Sequence, residues 1–122
     1  MGDWSYEPCG TDEAADWFAR FWQGGGAGLV VEEIETFDPK AERFEGLRAA
    51  AYVLASFGDP HMWAAPYDDK LAPLLRQAIA ILARMIEPDD PWGFIDAWGG
   101  RGVVPAVEAQ IAALRGRLDV LA

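Results

Sequence analysis

The stretch Phe44-Glu45-Gly46-Leu47-Arg48-Ala49-Ala50-Ala51-Tyr52-Val53-Leu54-Ala55-Ser56-Phe57 decides the fold. Phe44, Leu47, Ala51, Leu54 and Ala55 recur at helical spacing, and from Ala49 to Phe57 the segment is apolar on nearly every side. A helix of that kind belongs at the buried centre of a bundle, because it has no face to offer water. Pro39 suits a first helical turn, so the helix is expected over residues 39 to 57. Gly58-Asp59-Pro60 stops it, and residues 58 to 68 read as a loop carrying Trp63 and Pro66.

Outward from this centre the pattern stays helical. Residues 69 to 87 place Leu71, Leu74, Leu75, Ala78, Leu82, Met85 and Ile86 on one face, with Arg76, Gln77, Arg84 and Glu87 outside and Pro73 in the first turn. Residues 91 to 98 predict a short helix ended by Gly99-Gly100. The last helix carries a seam of Val104, Val107, Ile111, Leu114, Leu118 and Leu121. That seam is expected to pack on neighbouring helices, or on a second copy of the chain where it stays exposed, which makes it the candidate contact for a homo-oligomer.

Upstream, residues 11 to 22 predict a first helix capped by Thr11 or Asp12, with Ala14, Trp17, Phe18, Phe21 and Trp22 on one face and Asp16 paired with Arg20 on the other. Gly24-Gly25-Gly26-Ala27-Gly28 ends it, since glycine enters the left-handed region without strain. No strand precedes the run and Leu29 stands where a third fingerprint glycine would fall, so a phosphate-cradling loop is disfavoured. Residues 29 to 37 fit either a short helix, with Val30, Ile34 and Phe37 on one face, or a strand with no obvious partner. With no series of strands and turns to compete, the expectation is one all-α domain over residues 1–122, an irregular bundle of about five to six helices.

Composition narrows the function classes. The chain has 122 residues, 52% of them apolar, and ten Lys and Arg against twenty Asp and Glu, for a formal charge of -10. That balance argues against binding phosphate backbones or anionic membrane, so neither nucleic acid nor membrane is an expected partner. The surplus is local: residues 1 to 38 hold nine acids and one base, while the remainder hold eleven acids and nine bases. Asp3, Glu7, Asp12, Asp16, Glu32, Glu33 and Glu35, with the aromatic Trp4, are therefore the candidate binding residues for a basic protein partner. The competing reading is a solvated acidic surface that aids solubility.

Candidate chemistry is sparse. Cys9 is the one cysteine, which fits a reducing cytoplasm, and the amino-terminal residues have neither the basic nor the apolar stretch of a signal peptide. A Cys9–His61 dyad lacks any accompanying glycine elbow, and one Cys with one His cannot supply a zinc site. Asp12 and Asp16 stand four apart on one helix face without EF-hand spacing, so no metal or cofactor is assigned. Trp17, Trp22, Trp92 and Trp98 occupy helix positions explained by core packing. Trp4, Tyr6, Trp63 and Tyr67 lie outside the helical stripes and are candidates for a binding surface or for lids over the core.

Gly2, Trp4, Asp12, Ala14, Asp16 and Trp17 fall in the register of a pattern that begins Met-Gly-x-Trp-Gly, passes through Phe-x-Asn-Asp-x-Ala and reaches Asp-Trp or Asp-Phe. In this the chain resembles the DUF4259 family of small bacterial proteins. The Ala-rich helix at Gly46-Leu47-Arg48-Ala49-Ala50-Ala51, the helix from Leu74 to Ile86, Trp98 and the Leu114-Arg115-x-Arg117-Leu118 ending are similar as well. Ser5, Cys9 and Thr11 depart from the pattern, where the family has Gly, Phe and Asn. The resemblance implies a helical cytoplasmic bacterial protein of unknown function and supplies no catalytic residues. Two readings follow. One is a non-catalytic acidic interaction protein, in its most specific form an immunity-type inhibitor of a basic toxin. The other is a small hydrolase or carboxylate–metal enzyme using Asp12, Glu13 and Asp16, or Cys9 with His61; a homo-oligomeric scaffold is a third.

Overall fold

The apolar helix is α3, Phe44–Phe57, and it is central: nine of its fourteen residues are buried and it packs against α1 (Asp12–Arg20), α2 (Gly26–Glu35), α4 (Leu71–Met85) and α6 (Val104–Leu121). A four-residue helix, α5 (Phe94–Ala97), precedes α6. The computed structural model describes residues 5–121, and among them there is no strand. The architecture is an all-α irregular bundle with one contiguous hydrophobic core. No helix among the described residues is long and apolar enough to cross a membrane.

α4 buries Leu71, Leu74, Leu75, Ala78, Leu82 and Met85, the face its spacing predicts. On α6, Val104, Val107, Ile111 and Leu114 are buried and Leu118 and Leu121 pack at the edge of the core. The C-terminal seam is thus covered by α3 and α4 of the same chain, and it is not a face held open for a second copy.

Four expectations are corrected. Residues 29 to 37 form no strand: α2 runs through Glu35, with Val30 and Ile34 buried and Phe37 half-buried on the predicted face. The glycine run is a joint between two helices more than an end. α1 passes into a π-helical turn at Phe21–Gly25, in which Gly24 takes φ 123°, and α2 begins at once at Gly26, φ 52°. The wider turn rotates Trp22 off the Trp17–Phe21 face, so Trp22, expected in the core, is 75% exposed. Arg20 approaches Glu33 at 4.0 Å instead of pairing with Asp16.

Residues 39 to 57 are not one helix either. Asp38 caps a 3₁₀ turn at Pro39–Ala41 by accepting from the Lys40 N–H at 2.9 Å, and Glu42 then turns left-handed at φ 56°, so α3 begins only at Phe44. Trp63, expected toward a binding surface, is buried, its Nε1–H donating to the Tyr67 carbonyl at 2.8 Å. An aromatic ring with one polar tip is satisfied by a single backbone acceptor, and here the loop itself provides it.

Candidate functional site

The acidic residues of the first third do not assemble into one site. Asp3 and Trp4 lie outside the described residues. Glu33 is buried and held by a two-point bond from Arg43, Nε to Oε2 at 3.1 Å and Nη2 to Oε1 at 3.0 Å; this bond holds the Arg43 guanidinium above its ordinary pKa. Glu35 pairs with Lys70 at 2.8 Å. Glu7, Asp12, Asp16 and Glu32 are exposed. Two of the candidates are therefore neutralised locally, and the exposed ones sit on different elements.

What does converge is a cleft of about 470 Å³ between the start of α3, the start of α1 and the segment around α5. Its lining includes Phe44, Trp92 and Trp98 as aromatic wall, and Glu13, Glu42, Glu45 and Asp96 as acids. No Lys or Arg is among the lining residues. Each part has a local cause. Arg43 offers α3 no capping side chain, and Glu13 reaches across from α1 to accept the Gly46 N–H at 2.6 Å, so an acid of the first helix satisfies an orphan donor of the third. Asp90 accepts the backbone N–H groups of Ile95 and Asp96 at 2.9 and 3.0 Å and so fixes the segment that carries Asp96 and Trp98. Trp92 sits beside Phe37 and Phe44, with ring centroids 5.5 and 6.4 Å away.

Beneath the cleft lies a polar cluster that the apolar pattern of α3 conceals. Glu45 accepts the Trp98 indole N–H at 3.0 Å and the Arg48 Nη1–H at 3.1 Å. Arg48 is fully buried; it also donates from Nε to Gln110 Oε1 at 2.8 Å and from Nη2 to the Tyr6 carbonyl, while Gln110 Nε2 returns a bond to the Arg48 carbonyl at 2.9 Å. The cluster ties α3 to α6 and pins the N-terminal segment, whose Tyr6 ring packs 5.2 Å from that of Trp98. Burial pushes the Glu45 carboxyl above its ordinary pKa, with Arg48 and the Trp98 N–H opposing and Glu13 adding to the rise. Burial likewise lowers Arg48, against the pull of Glu45.

The Glu45 shift predicts a pH dependence. The unfolded carboxyl ionises at its ordinary value and the folded one at a higher pH, so the folded state holds the proton more tightly. The contribution of Glu45 to stability is therefore fullest below the ordinary value and declines as the pH rises through the raised one. Glu45→Gln should remove that decline: in urea unfolding, the stability of the wild type minus that of the variant falls between about pH 4 and about pH 7. A difference that grows with pH contradicts the assignment.

Neither a family model, nor a curated protein, nor a solved structure matches the chain.

The chemistry considered for an enzyme finds little support in the geometry. Among the described residues no three His, Cys, Asp or Glu side chains converge as a metal would require. Cys9 is exposed and borders a second concavity of about 360 Å³ with Phe18, Phe21, Trp22, Tyr52 and Phe57; His61 is not among its lining residues, and its own N–H is turned to Asp59. Both oxygens of Glu45, the carboxyl most shifted toward acid–base use, are engaged by Arg48 and Trp98. Sequence reasoning missed Glu42, Glu45 and Asp96, because they fall in the two-thirds of the chain where acids and bases nearly cancel. The one usable sign was that Glu45 and Arg48 are the only charges in the stretch from Phe44 to Phe57.

Proposed function

We propose that this chain is a non-catalytic acidic interaction protein that docks on a basic protein partner, with the cleft of Glu13, Glu42, Glu45, Asp96, Trp92 and Trp98 as the point of engagement. The observation that carries the reading is that cleft's lining: four carboxylates and aromatic wall with no base to neutralise them. Fixed indoles bind cations through their ring faces, and unpaired carboxylates beside them steer a positive partner and fix its register. The charge of -10 over the whole chain favours rapid encounter with such a partner. In its most specific form the reading is an immunity-type inhibitor that occludes a basic toxin in a bacterial cytoplasm, the setting implied by the DUF4259 resemblance, and membership in that family is proposed on the same ground.

The test is capture from the native host with the wild type and with a Glu42→Gln/Asp96→Gln variant. The reading expects a basic protein held by the wild type, released by moderate salt and lost from the variant. Recovery of no basic partner, or equal recovery by both forms, counts against it.

A further inference from the structure

We infer that the cleft is selective for arginine: it takes a guanidinium side chain of the basic partner against Trp92 and Trp98, in preference to a lysine ammonium. The inference rests on the reading of the cleft as a cation-binding surface and names the cation. Two features of the lining point to a flat, delocalised charge. First, the acids are distributed. Glu42 stands on the turn before α3, Asp96 on α5 and Glu13 on α1, and no three acidic groups converge closely enough to grip a point charge as a metal would be gripped. A guanidinium spreads its charge over a plane with five N–H donors and can satisfy separated carboxylates at once, while an ammonium is compact and strongly hydrated. Among the described residues Glu42 and Asp96 make no ion pair, and Glu13 uses one oxygen on Gly46.

Second, the aromatic wall is already fixed. Trp92 is set by Phe37 and by Phe44, the latter ring inclined to it by 16°, and Trp98 is anchored by Glu45 and packed on Tyr6. Rings that need no ordering on binding keep the full benefit of stacking, and a planar guanidinium stacks on indole where an ammonium does not. A cavity of about 470 Å³ is within the range of sites that enclose a side chain or small ligand.

The experiment titrates two blocked peptides, one alternating arginine with glycine and one alternating lysine with glycine, each with three cations, into protein labelled at the tryptophan indoles. The arginine peptide is expected to shift the Trp92 and Trp98 indole signals and to bind about tenfold or more tightly than the lysine peptide. Trp92→Leu should bring the two peptides to within about twofold of each other. Glu42→Gln, at an exposed turn where the fold is not at stake, should weaken both peptides and leave the arginine preference in place. Equal affinity of the two peptides in the wild type, with the Trp92 and Trp98 signals moving, overturns the arginine preference and leaves the basic-partner reading standing. Shifts confined to Trp17, Trp22 or Trp63 overturn the cleft as the site. Failure of both peptides to bind at millimolar concentration sinks the selectivity and the cleft reading together.

Discussion

Replacing Arg48 by alanine is expected to cost about 3–5 kcal/mol of stability, the penalty typical of breaking a buried ion pair from one side. That is a large share of the roughly 5–15 kcal/mol that holds a domain folded. The cost does not come from losing one attraction. The Arg48 side chain is fully buried and serves three acceptors, Glu45, Gln110 and the Tyr6 carbonyl, so its removal strands an ionised carboxylate, an amide oxygen and a backbone oxygen in a site with little access to water. Arg48→Lys should recover only part of the loss, because one ammonium cannot reproduce a planar fork aimed at partners on three segments. A double-mutant cycle between Arg48→Ala and Glu45→Ala should return a coupling of about 1–3 kcal/mol. Urea unfolding measures all of these, and an Arg48→Ala variant within about 1 kcal/mol of the wild type would show that the cluster is not what joins α3 to α6.

The same cluster marks where the sequence was legible and where it was not. The position of α3 could be read because a segment apolar on nearly every side has only the centre of a bundle to occupy. The faces of α4 and α6 followed from their spacing. Errors arose where a local device changes the register. The π-helical turn at Phe21–Gly25 carries Trp22 outward, and the left-handed Glu42 cuts Pro39–Ala41 from α3. Trp63 was misplaced because its partner, the Tyr67 carbonyl, is a backbone group that no side-chain pattern announces. The cleft was hidden for a different reason. Its acids come from residues 13, 42, 45 and 96 and its indoles from 92 and 98, separations that only the tertiary fold closes. Charge counting by segment pointed to residues 1 to 38, yet within that segment Glu33 and Glu35 are paired with Arg43 and Lys70.

The central claim is that the acids of the cleft, and not the negative charge of the chain as a whole, bind the basic partner. Charge reversal at two places separates these. Glu42→Lys with Asp96→Lys alters the lining of the cleft, while Glu32→Lys with Asp119→Lys alters two exposed acids that do not line it, and both pairs change the net charge equally. At physiological ionic strength exposed charges act over about 8 Å, so a remote reversal is largely screened, whereas like charges placed at the contact oppose binding directly. The most direct measurement is the affinity of the arginine–glycine and lysine–glycine peptides for the two double variants, taken at near-physiological salt beside the wild type. The cleft pair is predicted to lose at least about tenfold in affinity for both peptides, which is about 1.4 kcal/mol, and the remote pair less than about threefold. Equal losses in the two variants would contradict the claim and return the binding to the acidic surface at large.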